Sequence, residues 1–396
     1  MILKKKLLFF FLLLPSVIFN YLTLTYLDYD SNLSVFSTFF IFLFNFINIF
    51  LAFIYYKNNL KIFFIYTLYL IIIFFIFDLS LEKSLNKNSI VEEDDEIGWI
   101  IKANIEINFP QQTFKRKKYN AEYRSSAVKG FREFGKLDSK NESILVIGDS
   151  LTGGPHASNE KMYYSIIKNI FDDNNINLEW FVTGTGGYGT VQHFLLLEKY
   201  FKIIKPSIIL HQFCVNDFFD NSIEISKLST SHDQYYRRPF FDNNKIAKVD
   251  SNFAEIYRFL YKHSFVFKKV DQIYTYRRIL SLGSFTKKIP DEFISRSINN
   301  TQILFLKIRE LIGKDTLYFS TNCIDDEYNN LSAEWEKNIN AINGFSIKSG
   351  KKIVELRKKD FDVNHEDGGH LNELGNKIYG EITAKEMMKI IKIRKY

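Results

Sequence analysis

Cysteine is nearly absent: Cys214 and Cys323 are the two in a chain of 396 residues. That excludes a disulfide-rich scaffold. Each follows an apolar, strand-like run, a placement that allows the pair to be neighbours at one edge of a sheet. The sequence accommodates a disulfide and two buried thiols alike. A second absence lies near the N-terminus. Lys4, Lys5 and Lys6 precede an apolar stretch as in a signal peptide, but no small-residue cleavage site follows and further apolar runs come at once. No segment resembles a nucleic-acid-binding module, and the net charge of +7 is modest. The basic run Lys115-Arg116-Lys117-Lys118 reads as a solvated loop or as a contact for anionic headgroups.

What is present divides sharply. Residues 1–80 carry three apolar runs, Leu7–Leu24, Val35–Tyr56 and Ile62–Phe77. Each approaches the roughly 20 residues that span a bilayer core, so three retained transmembrane helices are expected. Lys4, Lys5 and Lys6 lie before the first run and Lys57 and Lys61 between the second and third, whereas the first loop carries Asp28 and Asp30 and no Lys or Arg. The positive charges put the N-terminus inside and everything after residue 80 outside. A two-helix hairpin with the soluble part inside is the competing topology. The abundance of Ile, Lys, Asn and Phe suits an AT-rich bacterial genome. The expectation is an integral inner-membrane protein with its soluble part on the periplasmic or extracellular side.

Residues 81–140 read as a linker and irregular lead-in, and residues 141–396 as one α/β domain. Strand-like runs at Ile144–Ile147, Leu178–Val182, Ser207–Phe213, Thr316–Phe319 and Lys352–Leu356 alternate with helical patterns. The helices fall near Met162–Asp172, Val191–Ile204, Thr301–Ile312, Ala333–Ser349 and Leu371–Ile393. Such alternation implies a mostly parallel sheet with helices on both faces and a site at the C-terminal ends of the strands. Residues 222–298 break the rhythm and read as an insertion with its own helices, rich in Tyr, Phe, Arg and Lys.

Four segments at strand ends carry chemistry. Gly148-Asp149-Ser150-Leu151 puts a serine at a strand-to-helix turn, which suits a nucleophile whose N–H stabilises an oxyanion and equally suits a helix N-cap. It is not the G-x-S-x-G elbow, because Thr152 replaces the second glycine. Asp367-Gly368-Gly369-His370 offers a base and the carboxylate that orients it. Metal binding by His365, Glu366, Asp367 and His370 competes, but the histidines are five apart and the glycines disfavour the helix a zincin needs. Gly184, Gly186 and Gly189 satisfy the dinucleotide pattern G-x-G-x-x-G, yet no acidic residue closes the next strand to hold a ribose. A glycine loop whose N–H points into a cleft serves an oxyanion hole equally well. Asn216, closing the third strand, is an amide donor for that oxyanion or an ordinary turn residue.

In this order these residues resemble the blocks of the SGNH (GDSL) hydrolase superfamily, in a membrane-anchored form. Ser150 falls at the nucleophile of the first block. Gly187, within Gly187-Tyr188-Gly189-Thr190-Val191-Gln192, falls at the glycine of the second. Asn216 falls at the asparagine of the third, with Val215 where a glycine is usual. Asp367 and His370 match the D-x-x-H of the last, and Val182 stands where an asparagine is common. Ile97-Gly98-Trp99 and Lys129-Gly130-Phe131-Arg132 also resemble segments that precede the hydrolase domain in membrane-anchored members. The resemblance covers about residues 140–393 and implies a three-layer α/β/α, flavodoxin-like fold. It implies a Ser150–His370–Asp367 triad, an oxyanion hole from Ser150, Gly187 and Asn216, and no metal or organic cofactor. The implied activity is hydrolysis of small O-acyl esters on envelope or extracellular glycans. The alternatives are an O-acyltransferase that requires a partner membrane protein, and a non-catalytic membrane scaffold or glycan-binding module.

Overall fold

A computed structural model describes residues 89–323 and 329–394, with a few scattered positions before residue 89. Nearly all of the three apolar runs expected to cross a membrane therefore lies outside the described residues. Among the described residues no helix is long and apolar enough to do so. The chain forms two compact units, Met1–Lys87 with Phe259–Arg277, and Asn88–Arg258 with Arg278–Tyr396.

From residue 89 the elements are β1 (Val91–Asp94), β2 (Gly98–Ile101), β3 (Glu106–Gln112), β4 (Lys118–Arg124), β5 (Phe131–Phe134), β6 (Glu142–Gly148), α1 (Ser150–Gly153), α2 (Tyr163–Asp173), β7 (Leu178–Gly184), α3 (Thr190–Ile204) and β8 (Ile208–Phe213). Next come α4 (Asn216–Asp220), α5 (Ile223–Leu228), α6 (His232–Arg237), β9 (Phe240–Asp242), β10 (Lys245–Ala247), α7 (Asn252–His263) and α8 (Phe265–Leu282). The chain closes with α9 (Asp291–Ile312), β11 (Leu317–Asn322), α10 (Asn329–Ala341), β12 (Phe345–Ile347), α11 (Ser349–Lys358) and α12 (Glu373–Arg394).

The central sheet has six strands in the order β12-β11-β8-β6-β7-β5. Five run parallel and β5 pairs antiparallel with β7. Side chains alternate across a strand, and β6 shows the result. Leu145 and Ile147 join a core with Val191 and Leu197 of α3, Leu304, Phe305 and Ile308 of α9, and Trp335 of α10. Ile144 and Val146 join the opposite core with Tyr163 and Ile167 of α2, Ile353 of α11, and Tyr379 and Met387 of α12. Two apolar faces explain why the central strands read as unbroken apolar runs. The expected α/β architecture, with helices on both faces of the sheet, is present.

Two expectations are corrected. Lys352–Leu356 is not a strand but lies inside α11, and the last strand, β12, falls inside the stretch Ala333–Ser349 that read as helix. Asn343, with a positive φ of 52°, and Gly344, whose N–H reaches the Ile339 carbonyl, end α10 early. The Ile353-Val354 pair is too short an apolar run for periodicity to separate strand from helix. The stretch 81–140 is also more than a linker. From Val91 it forms two hairpins, β1–β2 and β3–β4, and supplies the edge strand β5.

The 222–298 insertion carries its own helices, as expected, but is divided between the two units. Within the first unit the buried Asp78 carboxylate accepts from the Phe265 and Val266 N–H groups at 3.1 and 2.7 Å and from Ser264 Oγ at 3.2 Å, capping the start of α8.

Candidate active site

Three adjacent strand ends build the floor of the site. In register, Gly148 of β6 lies beside Gly184 of β7, and Ile147 beside His211 of β8. The turn out of β6 has no room for a side chain at Gly148, where a Cβ would press on Thr152 and Gln212. Gln212 laces this turn: its Oε1 accepts from the Asp149 N–H at 3.1 Å and Thr152 Oγ1 at 3.0 Å, and its Nε2 points at Cys214 Sγ at 3.1 Å. Asp149 caps α1 by accepting from the Leu151 N–H at 2.9 Å. Burial pushes its carboxyl up to about 6, against the Leu151 bond and the nearby charge of His370. Ser150 thus opens α1, half-buried, at the helix end where negative charge is favoured.

The loop after β7 lies against it. A Cβ on Gly186 would stand 3.8 Å from the Ser150 Cβ. Gly187 has a φ of +75°, a left-handed conformation that glycine adopts without strain. The loop opens α3, whose buried Gln192 satisfies one donor at the helix start by accepting from the Gly189 N–H at 2.9 Å. At the end of β8, Asn216 starts α4 and is exposed. Its amide donates to Asp220 Oδ2 at 3.0 Å. Two residues earlier, Cys214 is paired with Cys323 at the end of β11.

Asp367 and His370 come from the loop between α11 and α12. Gly368, at φ +73°, bends the chain so that Asp367 Oδ1 accepts from the Gly369 and His370 N–H groups at 2.9 and 3.0 Å. Its other oxygen accepts from His370 Nδ1 at 2.6 Å. An ionised carboxylate only accepts, so the proton in this bond is carried by Nδ1. Partial burial raises the Asp367 carboxyl, but the bonds and charge of His370 outweigh it and hold the group well below the usual carboxylate range. The loop is pinned by the β3–β4 hairpin, where Glu366 N–H reaches the Gln112 carbonyl and Phe114 N–H the Asn364 carbonyl, both at 2.9 Å.

Sequence reasoning missed several groups. His156 stacks on His370 with ring centroids 3.9 Å apart, and its Nε2 lies 3.8 Å from Asp367 Oδ2. Burial, and then His370, push this imidazole down to about 3, so it is neutral. His365 Nδ1 is 3.2 Å from the same oxygen, and its Nε2 meets Gln111 Oε1 at 2.7 Å. His365, which the sequence offers as a metal ligand, fastens the loop to β3. His156 has no spacing signal, because it meets His370 across more than 200 residues.

The fold and site define an α/β protein with a serine at a strand-to-helix turn and an Asp–His pair on the loop between α11 and α12. No protein-family model matches the chain, and no curated protein matches it. Among solved structures it is similar to a family 3 carbohydrate esterase from Clostridium thermocellum, with 12% identity over 64% of this chain and 98% of that one and a TM-score of 0.37. It is also similar to the psychrotrophic esterase EstA from Pseudoalteromonas sp., with 11% identity over 64% and 100% and a TM-score of 0.39. A lipase/acylhydrolase from Enterococcus faecalis matches with 13% identity over 62% and 95% and a TM-score of 0.37.

Proposed function

We propose that this chain is a serine esterase that removes small O-acyl groups from glycans through an acyl-enzyme. The observation that carries the reading is the 2.6 Å bond from His370 Nδ1 to Asp367, which leaves Nε2 as a base on a loop close to the Ser150 turn. Ser150 Oγ attacks the ester carbonyl while His370 takes its proton and Asp367 steadies the imidazolium. The N–H groups of Ser150 and Gly187 and the Asn216 amide receive the negative charge that develops on the carbonyl oxygen. The alcohol leaves with the proton from His370, and water or a sugar hydroxyl then takes the acyl group.

A glycan substrate is supported by the groove beside the catalytic loop. It holds about 420 Å³ and is lined by Gln111, Gln112, Lys118, Tyr119, Asn120 and Glu366, amides and an aromatic ring that suit hydroxyl-rich ligands. The apolar runs of residues 1–80 support a membrane anchor with the site outside.

The test is covalent labelling of the purified full-length chain with a fluorophosphonate probe. Labelling is expected in the wild type and absent in Ser150→Ala. A folded wild type that does not label would overturn the reading.

A further inference from the structure

The loop that carries Gly187 is gripped from behind by residues outside the sheet. The Trp99 indole Nε1 of β2 donates to the Gly186 carbonyl at 3.0 Å. That carbonyl and the Gly187 N–H belong to one peptide plane, and in a trans peptide they point in opposite directions. Holding the oxygen toward Trp99 therefore aims the Gly187 N–H away from Trp99. The next peptide plane is held by Arg238, immediately after α6, whose Nη2 donates to the Gly187 carbonyl at 2.7 Å and to Gln234 Oε1 at 2.6 Å.

The same guanidinium donates through Nη1 to Asp220 Oδ1, and the other oxygen of Asp220 accepts from the Asn216 amide at 3.0 Å. Arg238 is 2% exposed, so the guanidinium end of this bridge is shielded from water, and its bond to Asp220 is charge-assisted. Its guanidinium carbon lies 5.8 Å from the centre of the Trp99 ring, which joins the two grips. A side chain at Gly187 would strike this apparatus, since a Cβ there would stand 2.8 Å from Gln234 Nε2 and 3.3 Å from Arg238 Nη2.

We infer that Trp99 and Arg238 are positioning residues that set the oxyanion hole, one fixing the direction of the Gly187 N–H and the other tying that loop to the Asn216 amide. This rests on the proposed esterase reading and assigns a task to two segments outside the central sheet. The β1–β2 hairpin and the start of the insertion hold donors that the sheet's own loops would leave free to turn. Preorganised donors contribute to the transition state because they do not have to reorient as charge develops.

The experiment compares the full-length wild type with Trp99→Phe, Arg238→Lys, Arg238→Ala and Arg309→Gln. Turnover of p-nitrophenyl acetate is measured per fluorophosphonate-titrated site, beside the Tm. Trp99→Phe keeps the ring and loses the N–H, so kcat should fall about 10- to 100-fold with KM nearly unchanged. Arg238→Lys should fall as far, because an ammonium lacks the planar fork that bridges the two loops. Added guanidinium should partly restore Arg238→Ala. Arg309 binds the carbonyls of Ile342, Gly313 and Thr316, none of which adjoins Ser150, Gly187 or Asn216, so Arg309→Gln should lower Tm and spare kcat. Wild-type kcat per titrated site in Trp99→Phe and Arg238→Lys would overturn the inference. A wild type that neither labels nor turns over would instead overturn the esterase reading.

Discussion

Asp367 engages both carboxylate oxygens: one holds the backbone of its own turn and the other holds the His370 imidazole. An asparagine there would keep the turn, because its side-chain oxygen can still accept from the Gly369 and His370 N–H groups. Its amide nitrogen, facing Nδ1, would donate and select the wrong tautomer. For Asp367→Asn, kcat on a small ester should therefore drop about 10³- to 10⁴-fold while Tm stays close to wild type. A loss under tenfold would mean that Asp367 does not orient the base. His156 cannot substitute for it, because it is a neutral imidazole stacked on the base rather than an anion bonded to it.

At the scale of elements, the position of Ser150 depends on how closely α1 approaches β7. A Cβ on Gly153 would run into the Gly184 carbonyl, a backbone atom that cannot turn aside. Gly153→Ala should therefore destabilise the fold by about 1–3 kcal/mol and slow fluorophosphonate labelling per folded molecule, as read by denaturant titration and labelling kinetics. A variant as stable and as reactive as wild type would show that the contact is slack.

Elements were legible where one force dominated. The apolar runs of β6, β7, β8 and β11 and the long amphipathic helices stood out, as did each residue proposed for the triad and the oxyanion hole. Lys352–Leu356 misled because two buried residues suit a strand and a helix equally. The short β5, Phe131–Phe134, was invisible because its place depends on an antiparallel partner in β7. Trp99, Arg238, His156 and Gln212 act through contacts distant in sequence, which no local pattern encodes.

For the whole molecule, buried ionisable groups of opposite type pull stability in opposite directions. An exposed imidazole titrates near 6.5, whereas burial lowers His193 to about 4 and His156 to about 3, and lowers His211 as well. Their contribution is complete above 6.5 and is lost as pH falls, because the unfolded chain then binds protons that the native state refuses. An exposed aspartate titrates near 3.8, whereas burial raises Asp149 to about 6 and also raises Asp217 and Asp220. Their contribution is complete below 3.8 and is lost as pH climbs, for Asp149 by about 6. Between about pH 4 and 6 the two trends oppose, so the wild-type Tm should change little there. Removing one imidazole with His193→Gln should tilt the curve, with Tm falling as pH rises across that window. Parallel wild-type and variant curves would show that His193 does not titrate as its burial requires.

The antiparallel strand β5 covers the far side of β7. Without it, the peptide groups of Phe181, Val182 and Thr183 would form a bare ribbon of donors and acceptors, a template for any passing chain to pair with. The four residues Phe131–Phe134 are thus the hem of the central sheet, closing the flank of β7 at which another chain would otherwise pair.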